Sequence, residues 1–143
     1  MKAHITEEGP KSTESDIISL ERELGASLPP DYRKFLLAHN GGLPTPFVID
    51  IEEFIESPTD VQVFFGIGRK IQSSDLRWNR YTFRDRIGPG FLPIACDSGG
   101  SLFCLALSGE SRGAIYYVDF AHGKAEVYAV ATGIDDMLSK LRE

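Results

Sequence analysis

Cysteine, histidine and tryptophan are scarce in this chain: two, three and one among 143 residues. Two cysteines cannot build a disulfide framework or a cysteine-rich zinc site. Their placement also argues against pairing. In a hairpin turning at Asp97-Ser98-Gly99-Gly100, Cys96 faces Ser101 and Cys104 faces Pro93, several residues out of register. Both are expected as small buried hydrophobes. No apolar run approaches the roughly 18 residues that span a bilayer. The segment Met1 to Glu8 lacks the apolar stretch of a secretory leader, so a soluble, cytoplasmic protein is expected. Basic residues are in the minority, 15 against 21 acidic, for a net charge of −6. Phosphate backbones are bound by Lys/Arg fields, so neither nucleic acid nor membrane is an expected partner. An acidic field instead attracts a basic protein, although mild acidity also serves solubility alone.

Catalytic patterns are equally sparse. His4, His39 and His122 share no HxH, HExxH or His/Cys spacing, so no metal site is expected. Ser98-Gly99-Gly100 lacks the leading glycine of a nucleophile elbow and precedes a strand rather than a helix. Gly66-Ile67-Gly68-Arg69 lacks the third glycine of a dinucleotide loop and the Lys-Ser/Thr of a P-loop. The pairs Glu52-Glu53 and Asp135-Asp136 are sequence neighbours whose side chains point apart, which excludes an acid/base dyad. The reading is of a protein with no catalytic residues, no cofactor and no enzymatic activity.

What is present is an ordinary globular pattern, 42% hydrophobic and 25% charged, which excludes a disordered or fibrous chain. Residues 1–11 read as a loose polar arm. Thr13 caps a first helix carrying Ile17, Leu20 and Leu24, and Gly25 stops it. Leu28-Pro29-Pro30-Asp31 opens a second helix with Tyr32, Phe35 and Leu36 inward, ended by Asn40-Gly41-Gly42 and closed at His39. Strands are expected at 47–51 and 62–67, with a turn or short helix at 52–56 between them. A third helix runs from Ser74 to about Asp85. Strands follow at 91–96, 101–107, 114–119 and 126–131, joined by short glycine turns, and Thr132 caps a last helix with Ile134, Met137, Leu138 and Leu141 inward. Short connections force antiparallel pairing. The fold class is α+β: a single domain over residues 1–143, with an antiparallel-rich mixed sheet of about five or six strands flanked by about four helices.

The third helix is anomalous. Leu76, Phe83 and Ile87 cluster on one side, whereas Trp78, Tyr81 and Asp85 fall nearly opposite, with Arg77, Arg80 and Arg84 between or within the core stripe. Aromatic residues beside arginines are the types that anchor protein interfaces. Arg77, Trp78, Tyr81 and Asp85 are therefore candidate partner-binding residues; the competing reading covers Trp78 with a loop or with the sheet.

The motif Leu28-Pro29-Pro30-Asp31-Tyr32-Arg33-Lys34-Phe35-Leu36, ending in Asn40-Gly41-Gly42, resembles the signature of the SUKH superfamily. This is the Smi/Knr-type domain of a fungal cell-wall synthesis regulator and many bacterial proteins. Leu20-Glu21, Leu24-Gly25, Phe65-Gly66, Leu92-Pro93-Ile94-Ala95 running into Asp97, Gly99-Gly100 and Gly113-Ala114-Ile115-Tyr116-Tyr117 fit the same pattern across residues 14 to 141. Departures are Ser101 where members often carry Asn, and Val118 where many carry Trp before the aspartate. The resemblance implies a protein-binding domain. In bacteria this is an immunity protein that occludes a toxin, often a nuclease; the fungal member implies a regulatory module instead. The motif residues Leu28, Pro29, Tyr32, Asn40, Gly41, Gly42, Pro93, Gly99 and Gly100 have structural readings, and Asp97 is added to the partner-binding candidates as an exposed turn residue.

Overall fold

The computed structural model describes residues 3–143. In chain order the elements are β1 (His4–Thr6), α1 (Glu14–Leu24), α2 (Pro30–Ala38), β2 (Leu43–Thr45), β3 (Val48–Ile49), β4 (Thr59–Asp60), β5 (Val63–Phe64), α3 (Leu76–Thr82), β6 (Phe91–Cys96), β7 (Leu102–Ala106), β8 (Ile115–Asp119), β9 (Glu126–Ala131) and α4 (Ile134–Lys140). A sheet in the order β5-β6-β7-β8-β9 forms the centre, with every neighbouring pair antiparallel. The fold is α+β, as the alternation of helices and glycine-turned strands requires. Pairing throughout this sheet is antiparallel, and the connections from β6 to β9 are turns too short for a parallel return. No helix among the described residues is long and apolar enough to cross a membrane.

Every residue of β7 is buried, which explains its unbroken apolar run at the middle of the sheet. In-register residues share a face. Phe64, Ala95, Phe103, Tyr117 and Tyr128 accordingly form one row across all five strands. Phe35 of α2 packs edge-on against Phe64, 5.2 Å between ring centres. Phe54, from the loop between β3 and β4, packs on Tyr117 and Tyr128 at the other end.

The sequence pattern places α1 well. Thr13 and Asp16 form a reciprocal capping box, and Gly25 ends the helix at φ 66°. Elsewhere tertiary pairing overrules local reading. Within the expected loose arm, β1 pairs antiparallel with β2, and the Gly9 N–H donates to the Asn40 carbonyl. Its partner lies some forty positions along the chain, beyond any local signal. The strands expected at 47–51 and 62–67 contract to two residues each, in different sheets. The third helix stops at Thr82, because Phe83 leaves helical geometry to stack on Phe120 and Gly88-Pro89-Gly90 prevents resumption. Gly133, not Thr132, occupies the N-cap of α4; Thr132 instead donates its N–H to Asp136.

Cys104 faces Pro93 as the hairpin arithmetic requires, but an extra residue at Ile94 bulges β6, so Cys96 meets Leu102 rather than Ser101. Both thiols are free, Cys104 buried and Cys96 half-buried. Burial pushes them up, to about 12 and about 11, which holds them as thiols at neutral pH.

Candidate partner-binding surface

Two clefts bear on the candidate partner-binding residues. The first lies along α3. Asp75 caps the helix by accepting the Trp78 N–H, and accepts the Gly68 and Arg69 N–H groups as well. Asn79 is buried and donates to the carbonyls of Ser73 and Asp75. With Leu76 in the core, these contacts fix the roll of the helix and turn its arginines outward. A cleft of about 390 Å³ results, with Leu20, Ile87 and Phe91 as apolar lining and Glu23, Arg77, Arg80, Tyr81 and Arg84 as polar rim.

Arg77 makes a forked ion pair with Glu23, with Nε 2.8 Å and Nη2 2.6 Å from Oε2. The hydrogen bonds from Arg77 hold the Glu23 carboxyl below its usual range, and Glu23 in turn raises the guanidinium. Arg84 stacks over the Tyr81 ring at 3.9 Å and donates to the Tyr81 carbonyl. Tyr81 is 66% exposed. Arg80 is half-buried and forms no ion pair among the described residues. An apolar floor with an arginine rim suits a carboxylate or aromatic side chain of a partner.

The structure thus brings Arg77 and Tyr81 together. Trp78 is half-buried and lies outside the lining of this cleft, and Asp85 is exposed on the segment after α3, also outside it. Asp97 belongs elsewhere, and its expected exposure is wrong. It is 5% exposed, with Oδ1 accepting the N–H groups of Gly99 and Ser101, and Oδ2 accepting Thr59 Oγ1 at 2.8 Å and the Tyr117 hydroxyl at 2.6 Å. The turn folds back on its own aspartate because four donors converge there.

The second cleft opens beside Asp97. Its lining includes Phe54, Glu56, Ser101, Tyr117 and Asp119. Burial, reinforced by the Asp97 carboxylate, pushes the Tyr117 phenol well above its ordinary range. His122, in the turn between β8 and β9, places Nδ1 2.9 Å from Glu126 Oε1 and 3.7 Å from Asp119 Oδ2. The contact with Glu126, with smaller help from Asp119 and Glu56, raises the imidazole above its ordinary value. Asp119, His122 and Glu126 hold potential metal-ligand atoms within 4.8 Å of one another. The three histidines stand at no metal-motif spacing, but the hairpin register sets two acids beside His122. Sequence spacing alone does not group acids on the two flanks of one hairpin; the pairing of Asp119 with Glu126 does.

The motif residues sit in the scaffold. Leu28 donates its N–H to Glu21, which also pairs with Arg33, and Pro29 precedes the first turn of α2. Burial of the Glu21 carboxyl is outweighed by Arg33 and the Leu28 N–H, leaving it below the usual range. Tyr32 is buried and stacks with Phe35. Asn40 donates to the carbonyls of Pro10 and Ile67 and accepts the Ile67 N–H. Gly41, at φ 78°, lies so close to β5 that a Cβ would stand 2.6 Å from the Phe64 carbonyl oxygen, and buried Gly42 completes the passage. Pro93 is buried in β6, and Gly99 and Gly100 form the exposed tip of the β6–β7 turn.

Residues 11–140 match the family model described as SMI1 / KNR4 family (SUKH-1). Comparison with curated proteins returns no match.

Proposed function

The chain belongs to the SMI1 / KNR4 family (SUKH-1), and from that premise we propose that it is a non-enzymatic, protein-binding domain: a bacterial immunity protein that acts in the cytoplasm and neutralises a cognate toxin by occluding it. Family membership carries this reading. The α3 cleft supports it with exposed Tyr81 and Arg84 beside an apolar floor, the residue types and geometry of an interface anchor. Tyr81, Arg77, Arg80 and Arg84 would seat an acidic or aromatic side chain of the toxin. Trp78 and Asp85 would extend the contact along and beyond the helix. The net charge of −6 supports a basic partner, such as a nuclease, through faster encounter rather than through the anchor itself. The action is stoichiometric, one domain covering one toxin.

The test is co-expression with candidate toxin domains, beginning with any encoded in the adjacent gene. Growth rescue and a one-to-one complex on size exclusion are expected, with both lost for a Tyr81→Ala/Arg84→Glu double variant. Absence of both complex and rescue for the unaltered chain rejects immunity. Several weak partners without rescue would instead identify a regulatory module of the cell-wall-regulator type.

A further inference from the structure

The hairpin joining β8 to β9 carries a feature that partner binding does not explain. Asp119 ends β8, and Glu126 opens β9 directly opposite it. His122 lies in the turn between them, and ligand atoms of all three fall within 4.8 Å of one another. Asp119 is 3% exposed, and its carboxylate is pinned through Oδ1, which accepts Ser101 Oγ and the Ala121 N–H, each at 3.2 Å. That leaves Oδ2 buried and without a hydrogen-bond partner among the described residues. It points toward His122 Nδ1, which at 3.7 Å is too far to donate to it. A buried carboxylate oxygen is unfavourable without a donor or cation. Glu126 Oε1 stands 2.9 Å from the same nitrogen, so both carboxylates converge on one imidazole edge.

One imidazole nitrogen with two carboxylate oxygens is a donor set for a divalent transition metal. Calcium and magnesium fit less well, because both prefer all-oxygen shells. The Ser101 hydroxyl and Ala121 N–H orient Asp119 as outer-shell groups orient ligands in metal sites. Glu56, lining the same cleft as Asp119, adds negative charge nearby. We propose that Asp119, His122 and Glu126 form a binding site for a divalent transition-metal ion of the Zn²⁺ type. Three protein ligands leave at least one position for water or for a side chain from another molecule. The site does not depend on the immunity reading.

The experiment is titration of the chelator-treated full chain with ZnCl₂, followed by calorimetry and by the NMR resonances of the histidine rings, with CaCl₂ and MgCl₂ in parallel. One equivalent of Zn²⁺ should bind with a selective shift of His122, and neither Ca²⁺ nor Mg²⁺ should reproduce it. His122→Ala, at an exposed position, should abolish the site while leaving the fold unchanged. Glu126→Gln should weaken it at least tenfold. Ser101→Ala should weaken it by about 10–100-fold through loss of orientation alone. His39→Ala, which removes the imidazole paired with Glu8, should change nothing. Absence of a His122 shift at large Zn²⁺ excess, or undiminished binding by His122→Ala and Glu126→Gln, overturns the proposal. The cluster would then be a charged hydrogen-bonded turn only.

Discussion

The two clefts differ in what their polar groups do for the rest of the molecule. Along α3, Tyr81 and Arg84 pair with each other, Arg77 pairs with Glu23, and the chain fold asks nothing further of them. At the β6–β7 and β8–β9 turns, by contrast, Asp97 receives four donors and Asp119 two, and both are buried. Polar groups of the first kind are free to vary with a partner. Those of the second kind are bound into the architecture, with Asp119 Oδ2 and His122 left at its margin. With α3 as the proposed docking cleft, stability and recognition are separable by position in this fold.

The sharpest break of this contrast comes from Asp97→Ala. Removing the acceptor strands the Tyr117 hydroxyl and Ser101 N–H in a buried site, and a loss of about 3 kcal/mol or more is expected in urea unfolding. A loss near zero would mean that the turn is not the fixed member of the pair. Asn40→Ala should cost somewhat less, about 2 kcal/mol by the same measurement, since its three backbone partners are only partly buried. Tyr81→Ala inverts the pattern. Its unfolding free energy should change by no more than about 0.5 kcal/mol, while affinity for a protein partner bound at this cleft falls about tenfold or more. Equal damage to both would place Tyr81 in the scaffold. Breaking the half-exposed Arg77–Glu23 pair by Arg77→Ala should cost only about 0.2–1 kcal/mol, shrinking further in high salt.

The smallest effect concerns His122. Its folded-state pKa lies above the ordinary 6.5, chiefly through Glu126, so the protonated ring favours the folded state. That contribution is complete below pH 6.5 and disappears as pH rises through the folded value. Histidine NMR titration in chelator should show the elevated midpoint, and Glu126→Gln should bring it down toward 6.5.

Much of this was legible in the sequence where a few adjacent residues decide the outcome. Thr13 with Asp16, Gly25, the Asp97–Gly100 turn and the uniformly apolar β7 each carry their own local reason. What was not legible depends on distant partners. β1 exists because of Leu43–Thr45. Asp97 faces inward because Thr59 and Tyr117 reach it from 38 and 20 positions away. The early end of α3 depends on the Phe120 ring. In the candidate surface, helical phase groups Trp78, Tyr81 and Asp85, and of these Tyr81 lines the cleft, beside Arg77. The other walls of the cleft come from α1 and from the segment after α3, which helical phase cannot show.

The Asn40 junction also bears on the order of events in time. Its carboxamide joins Pro10 and Ile67, 30 and 27 positions away, and closes only once both segments have arrived. A contact that waits on two separate segments is expected to form late, beyond the folding barrier, which a folding φ-value near zero for Asn40→Ala would check. Loosening it would then leave the refolding rate nearly unchanged and quicken unfolding, making Asn40 a latch on the native state's lifetime.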